Sequence, residues 1–163
     1  MKRHGRLSTR LAGIAVLLTV AVGDGAVRAQ SAPPMVACSV EGLQAKAPAG
    51  TTITAAAVVA ATGSVPRYCQ VDGHTASPGN TVNFRLGLPD GWNGKYYFVG
   101  VGGLGGVIGP LTGGLTRGYA SASTDTGHVA SDPDWGKNAA KEIDYGHRGT
   151  HVSAVAGKSL TAA

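Results

Sequence analysis

Alternating apolar and polar residues predict two strands in the middle of the chain. Residues 69–74 and 81–88 both alternate, which is the period-two pattern of a half-buried strand. A Pro-Gly-Asn turn signal at 78–80 lies between them, so the two strands are predicted to be neighbours. Residues 53–61 leave two interpretations open, because their alanines favour a helix while Ile, Thr and Val favour a strand. One face of the second strand is apolar throughout (Val82, Phe84, Leu86, Leu88).

The second half of the chain predicts an α/β arrangement. Residues 95–101 are a nearly continuous aromatic and β-branched run, which predicts a strand buried on both faces in the middle of a sheet. Residues 119–124 predict a second inner strand of small side chains. Between them, residues 104–118 are rich in glycine and contain a proline, which favours a long loop with at most a short helical turn. From 138 to 163 apolar residues recur at helical spacing. This succession of strands, loops and a helix is typical of an α/β fold.

The first 29 residues have the order of a secretory signal peptide. A basic opening precedes an apolar run at 11–22, and small residues stand three and one before a cleavage point after Ala29. The apolar run is shorter than the roughly 20 residues that a membrane-spanning helix needs. We therefore expect a signal peptide at 1–29 and one domain at 30–163, secreted or periplasmic.

The positive charge of the chain belongs mostly to this leader. The whole chain has a net charge of +5, but the leader holds five of its 14 basic residues and one of its nine acidic residues. The remainder is close to neutral and has no basic stripe with interleaved aromatics. We expect no nucleic-acid partner and no membrane contact beyond the export signal.

The two cysteines, Cys38 and Cys69, predict a disulfide in an exported protein. Two buried free thiols are the alternative. Neither cysteine belongs to a CxxC pair, so the sequence does not support a zinc site or a redox pair.

A glycine motif at 100–105 has two interpretations. It matches GxGxxG after a predicted strand, and Asp125 follows about 20 residues later, as in a dinucleotide-binding fingerprint. That site needs a helix that begins directly after the glycines. The alternative is an oxyanion hole, in which backbone N–H groups stabilise a negative ester oxygen. Gly102 and Gly103 are the candidate donors.

Other polar residues carry weaker signals. Ser123, Asp125 and His128 have the composition of a catalytic triad, but they fall in one loop. We expect Asp125 and His128 to order that loop by hydrogen bonds. His147 and His151 have the i, i+4 spacing of metal ligands but lack a third ligand, and we expect no metal site. No GxSxG motif is present.

Five segments in the same order resemble the tannase and feruloyl esterase family. The resemblance covers residues 38–160, and the longest match is RGYASASTDTGH. The segments are PRYCQV at 66–71 after Cys38, LPDGWNGK at 88–95, VGVGG at 99–103, RGYASASTDTGH at 117–128 and DYGHRGTH at 144–151.

The resemblance implies a fold and an activity. The family fold is an α/β-hydrolase with a lid inserted later in the chain, so these residues are expected to form an incomplete sheet, with its N-terminal strands and first helix, lacking the lid and the C-terminal half. The implied activity is hydrolysis of aromatic-acid esters such as gallates and ferulates by a Ser-His-Asp triad without a cofactor. Small-molecule aromatic esters are the implied partners.

The resemblance also assigns site residues. It implies oxyanion donors at Gly102 or Gly103, and Cys38 with Cys69 match the family's early disulfide. The nucleophilic Ser and the triad Asp and His are expected beyond Ala163, so this chain alone is expected to be inactive. A secreted binding module without catalysis, or a dinucleotide-binding domain through residues 100–105, remain the alternatives.

Overall fold

Five strands form one mixed sheet in the computed structural model, which describes residues 37–162. The signal peptide expected at 1–29 lies outside the described residues. The strand order is β1-β2-β3-β5-β4. The strands are β1 Thr51–Val59, β2 Tyr68–Ser77, β3 Asn80–Pro89, β4 Tyr96–Val99 and β5 Ala120–Thr124.

The first three strands form an antiparallel meander. The turn at 78–79 joins β2 to β3, and the apolar face predicted for β3 is buried. The segment that left helix and strand open is the strand β1, which pairs with β2 from Thr51 opposite Thr75 to Val59 opposite Tyr68. Cross-strand hydrogen bonding thus overrides the helical preference of its alanines.

The burial on both faces predicted for β4 is only partly observed in the described part of the chain. Within residues 37–162, β4 lies at the end of the sheet and pairs only with β5, in parallel. Tyr97 is 40% exposed, and Phe98 and Val99 are half-buried. A continuous apolar run predicts that both faces of a strand are shielded from solvent. Part of the shielding of β4 comes from the loop at Gly109, which lies beside Val99. The inner position belongs to β5, whose five small residues are all buried.

The helical stretch predicted from residue 138 is present, but it contains one wider turn. Helix α3 leads directly into a π-helical turn, which leads into α4. Two short α-helices and a 3₁₀ helix at Trp135–Lys137 precede it, and the second α-helix lies in the glycine-rich segment. The helices are α1 Val40–Gln44, α2 Thr112–Leu115, α3 Ala139–Ile143 and α4 Gly149–Thr161, and the π-helical turn is Asp144–Arg148.

The main core lies between one face of the sheet and helices α1 and α4. Leu43 of α1, Phe84 of β3 and Leu160 of α4 are among its buried members. The predicted disulfide is confirmed, since Cys38 and Cys69 are bonded with their Cα atoms 5.7 Å apart. It closes a loop with a sequence separation of 31, which in the chain-entropy model stabilises the fold by about 3–4 kcal/mol.

The opposite face of the sheet is covered in part by the glycine-rich segment. Leu111 and Leu115 pack against Gly87 of β3, and beside them Arg85 makes a 2.6 Å ion pair with Asp72. None of the helices within residues 37–162 is long and apolar enough to cross a membrane.

Helix α4 contacts β4 through a glycine that has no room for a side chain. A Cβ at Gly157 would lie 2.3 Å from the Tyr96 hydroxyl oxygen. That hydroxyl is buried and has no hydrogen-bond partner within the described residues, and burial raises the pKa of Tyr96 well above its usual value. Gly157 therefore lies inside helix α4, where it allows close packing against β4.

We expect Gly157→Ala to lower the free energy of unfolding. Alanine normally stabilises a helix by about 1 kcal/mol relative to glycine, but at this site the ring of Tyr96 cannot move without disturbing the core. Gly146→Ala is the matched control, since it lies in the same helical stretch and its Cβ would meet nothing within 4 Å. Urea denaturation should rank G146A at or above the wild type and G157A below it. Equal midpoints for the two variants would contradict this packing.

Candidate active site

A cavity of about 300 Å³ lies at the carboxyl ends of the parallel strands β4 and β5. In open α/β sheets, ligands bind at this edge. Three parts of the chain line the cavity: the end of β4 with the loop after it, the end of β5, and the π-helical turn with the start of α4. The lining residues are Phe98, Val99, Gly100, Val101, Gly105, Thr124, Thr126, Tyr145, Gly146 and Thr150.

Residues 102–105 form a tight turn beside this cavity, which we name the glycine turn. The amide of Gly105 donates to the carbonyl of Gly102 at 3.4 Å, and Gly103 has a φ of +65°. The C=O and N–H of a trans peptide point in opposite directions, so the N–H of Gly103 points out of the turn. Within residues 37–162, the amides of Gly102 and Gly103 donate to no acceptor. Both residues are exposed and adjoin the cavity lining without belonging to it.

Two side chains hold consecutive carbonyls of the glycine turn. The Tyr145 hydroxyl donates to the carbonyl of Gly103 at 3.0 Å. His128 Nε2 lies 2.8 Å from the carbonyl oxygen of Leu104. A carbonyl has no proton to give, so Nε2 carries the hydrogen. The turn is thus tied to two different segments, the π-helical turn and the loop after β5.

An aromatic cluster supports these two donors. The ring of His128 stacks on that of Trp135 with centroids 4.1 Å apart, and Tyr145 lies 4.9 Å from Trp135 and edge-on to His128 at 5.7 Å. His128 is only 4% exposed. The sequence predicts a role for His128 but none for Trp135 or Tyr145. Trp135 follows the candidate loop, and Tyr145 falls in the segment DYGHRGTH that carries the resemblance, but neither pattern assigns these aromatic side chains a function.

The three residues with triad composition do not face one another. Asp125 accepts from the amide and side chain of Asn83 at 3.1 and 2.6 Å and from the amide of Gly127 at 2.9 Å. The Ser123 hydroxyl donates to the carbonyl of Val99 at 3.0 Å, while His128 is directed to Leu104. These contacts order the loop and form no nucleophile–base pair.

Thr126 completes the end of β5 in a strained conformation. It is the one residue other than glycine with a positive φ within the described part of the chain, at +60°. This is unusual for a β-branched residue. Its hydroxyl donates to the carbonyl of Asp125 at 2.6 Å.

The glycine motif lacks the helix that a dinucleotide site requires. Residues 100–111 contain no helix, and α2, which begins at Thr112, has only four residues. Both carboxylate oxygens of Asp125 are already occupied by protein donors. No helix N-terminus is therefore available to meet a diphosphate directly after the glycines.

The histidine pair at 147 and 151 is exposed. Within residues 37–162, no group of three or more His, Cys, Asp and Glu side chains is arranged to hold a metal ion.

Asp144 joins the π-helical turn to two loops at the same end of the sheet. Its side chain is fully buried and accepts from Ser77 at 2.6 Å, Asn80 at 2.9 Å and Arg148 at 2.5 Å. The Asn80 amide group also donates to the carbonyl of Gly127 at 2.7 Å. The next residue in the chain is Tyr145, so this network sets where the Tyr145 hydroxyl reaches the glycine turn.

The charged form of Asp144 is favoured despite its burial. Burial alone raises the pKa of this carboxyl, but the hydrogen bonds from Arg148, Ser77 and Asn80 and the charge of Arg148 outweigh it, and the pKa is lowered. A carboxyl whose pKa is lower in the folded state stabilises the fold above its unfolded pKa of about 3.9. That stabilisation is lost as the pH falls through the folded pKa.

We expect Asp144→Asn to lower the free energy of unfolding by about 3 kcal/mol, because it leaves a largely buried Arg148 without its charge partner. Asp134→Asn is the matched control. Its ion pair with Lys137 is mostly exposed, so the change should cost less than about 1 kcal/mol. Denaturation at pH 7 and pH 3 should show the gap between wild type and D144N shrinking in acid. An equal gap at both pH values would contradict the ionised state of Asp144.

A family model described as tannase and feruloyl esterase matches residues 67–163, which is more than half of the chain. A mono(2-hydroxyethyl) terephthalate hydrolase of Piscinibacter sakaiensis is 28% identical over 66% of this chain and 22% of its own length. An uncharacterized esterase of Xanthomonas campestris pv. campestris is 32% identical over 94% of this chain and 27% of its own length. The chain thus spans roughly a quarter of the length of these curated relatives.

Two solved structures share the fold. An esterase from Aspergillus oryzae superposes with a TM-score of 0.66, and feruloyl esterase B from the same organism with 0.65. Each is 21% identical, and each match covers 76% of this chain and 29% of the other. The expected fold class, an incomplete α/β-hydrolase-like sheet, is confirmed.

Proposed function

The chain belongs to the tannase and feruloyl esterase family, and from that premise we propose that it forms the oxyanion-binding side of a secreted carboxylic ester hydrolase. The supporting observation is the glycine turn. Its carbonyls of Gly103 and Leu104 are held by side chains, while the amides of Gly102 and Gly103 have no acceptor within the described residues.

The chemistry requires such amides. Attack of a serine hydroxyl on an ester carbonyl gives a tetrahedral intermediate with a negative oxygen, and N–H groups about 3 Å from that oxygen stabilise it. We assign this role to Gly102 and Gly103. The nucleophilic Ser and its His and Asp partners are assigned to sequence beyond Ala163, and no cofactor takes part.

The cavity suits a small aromatic acid. Its volume of about 300 Å³ is at the lower end of the range for small-molecule sites, and its lining includes two aromatic residues, Phe98 and Tyr145, which suit an aromatic ligand. One relative is named for hydrolysis of a terephthalate monoester and a structural neighbour as a feruloyl esterase. We propose aromatic-acid esters of the gallate and ferulate type as substrates.

The disulfide supports export. A bond between Cys38 and Cys69 persists in an oxidising compartment and is rare in a reducing cytosol. We propose that the protein acts in the periplasm or outside the cell.

The proposal is tested by assaying two samples, the 163-residue chain and the protein expressed from its whole gene, with methyl ferulate and methyl gallate. We expect turnover by the whole-gene protein, blocked by a serine-directed organophosphate, and none by the 163-residue chain. Ethyl butyrate is the matched substrate for an aliphatic acid and should be hydrolysed more slowly. Turnover that survives the organophosphate would overturn the mechanism, and binding of NADH without any turnover would favour the dinucleotide alternative.

In the protein expressed from its whole gene, we expect Gly103→Ala to reduce turnover. The left-handed backbone at this position costs an L-residue about 1–2 kcal/mol, so the glycine turn would shift. Gly91→Ala is the matched control, since its φ is not positive and its Cβ would meet nothing within 4 Å. Rates of ester hydrolysis should fall at least several-fold for G103A and stay unchanged for G91A. Wild-type rates in G103A would exclude the glycine turn from the reaction.

A further inference from the structure

We propose that Tyr145 is a positioning residue of the glycine turn, acting through its hydroxyl group on the carbonyl of Gly103. The inference rests on the proposed function, in which the amides of this turn bind the oxyanion. Nothing in the triad or oxyanion chemistry itself requires a tyrosine here, so the role is additional.

The hydrogen bond from Tyr145 acts on the peptide group that follows Gly103. Tyr145 Oη donates to the carbonyl of Gly103 at 3.0 Å, which fixes the peptide plane between Gly103 and Leu104. The opposite side of a trans peptide carries the N–H. Holding this carbonyl against the π-helical turn directs the Leu104 N–H away from Tyr145. It also restrains the ψ angle of Gly103, the residue whose own N–H is an assigned oxyanion donor.

The turn needs an external restraint. Its own closing bond, from the Gly105 amide to the Gly102 carbonyl, is long at 3.4 Å. Three of its four residues are glycine, which loses the most conformational entropy when ordered. Ideal Cβ atoms at Gly102 and Gly103 would meet nothing within 4 Å, so packing does not hold these two residues. Two side-chain hydrogen bonds, from Tyr145 and His128, remain to hold the carbonyls of Gly103 and Leu104.

The tyrosine itself is rigidly placed. Its ring packs at 4.9 Å from Trp135 and at 5.7 Å from His128. The preceding residue, Asp144, is fully buried and bonded to Ser77 and Asn80 on the β2–β3 turn. The hydroxyl of Tyr145 is therefore a fixed donor at the rim of the cavity, which its ring also lines.

The experiment compares Tyr145→Phe with Tyr97→Phe in the protein expressed from its whole gene. Y145F keeps the ring and its stacking and removes only the hydroxyl. Tyr97 is the matched control, since it is half-exposed on β4 and outside the cavity lining. The measurements are kcat and KM for methyl ferulate, the thermal midpoint, and hydrogen exchange of the Gly105 amide, whose bond to the Gly102 carbonyl closes the glycine turn.

Loss of one hydrogen bond predicts a kcat about three- to tenfold lower in Y145F, with KM and the thermal midpoint nearly unchanged and faster exchange of the Gly105 amide. Y97F should match the wild type in all four. A rise in KM alone would overturn the inference and make Tyr145 a substrate contact. A lower kcat accompanied by a clearly lower thermal midpoint would also overturn it, because the loss of activity would then follow from loss of stability. His128→Phe, which keeps the stacking on Trp135, should repeat the kcat loss if it folds.

The inference and the proposed function fail separately. If the wild-type protein hydrolyses no ester, the proposed function falls and amide exchange alone decides the role of Tyr145. Unchanged exchange of the Gly105 amide in Y145F then overturns the inference, and faster exchange of that amide upholds the restraint of the turn. If the wild type is active and Y145F keeps its full kcat, the function stands and the inference is wrong.

Discussion

The buried carboxylate of Asp144 is the interaction on which the geometry of the site depends. It joins the π-helical turn to Ser77 and Asn80 on the β2–β3 turn and pairs with Arg148 one helical turn later. Through Asn80 it also reaches the carbonyl of Gly127 after β5. We interpret this buried ion pair with its additional hydrogen bonds as fixing a defined arrangement more than adding net stability. Here that arrangement is the mutual position of a helix, a hairpin and the loop that carries His128.

The glycine turn takes its conformation from this frame. A chain segment with three glycines has little preference of its own, and its carbonyls are oriented by Tyr145 and His128. Both donors belong to segments that Asp144 and the Trp135 stacking hold in place. The site is thus a flexible loop made rigid from outside, which is how preorganised amides stabilise developing charge at little reorganisation cost.

The sequence predicts those parts of the fold that produce a pattern among neighbouring residues. Strand β3 is buried on one face, so its alternation is visible in the residues themselves. The parallel pairing of β4 with β5 is not predictable in this way, because an apolar run such as 95–101 does not indicate which strands are neighbours. The environment of the π-helical turn is also hidden, since Asp144 and Arg148 bond to Ser77 and Pro78, which are 67 and 70 positions away. Tyr145 and Gly103 are 42 positions apart, and no local sequence pattern predicts such a contact. The glycine motif and the loop at 125–128 were visible because their residue types are unusual for a strand end.

The most direct measurement is a crystal structure of the protein expressed from its whole gene, inactivated with an aryl phosphonate ester that mimics the tetrahedral intermediate. The account predicts the phosphonyl oxygen about 3 Å from the amide nitrogen of Gly102 or Gly103, with Tyr145 still bonded to the carbonyl of Gly103. A phosphonyl oxygen held by other donors, with both glycine amides facing solvent, would contradict it.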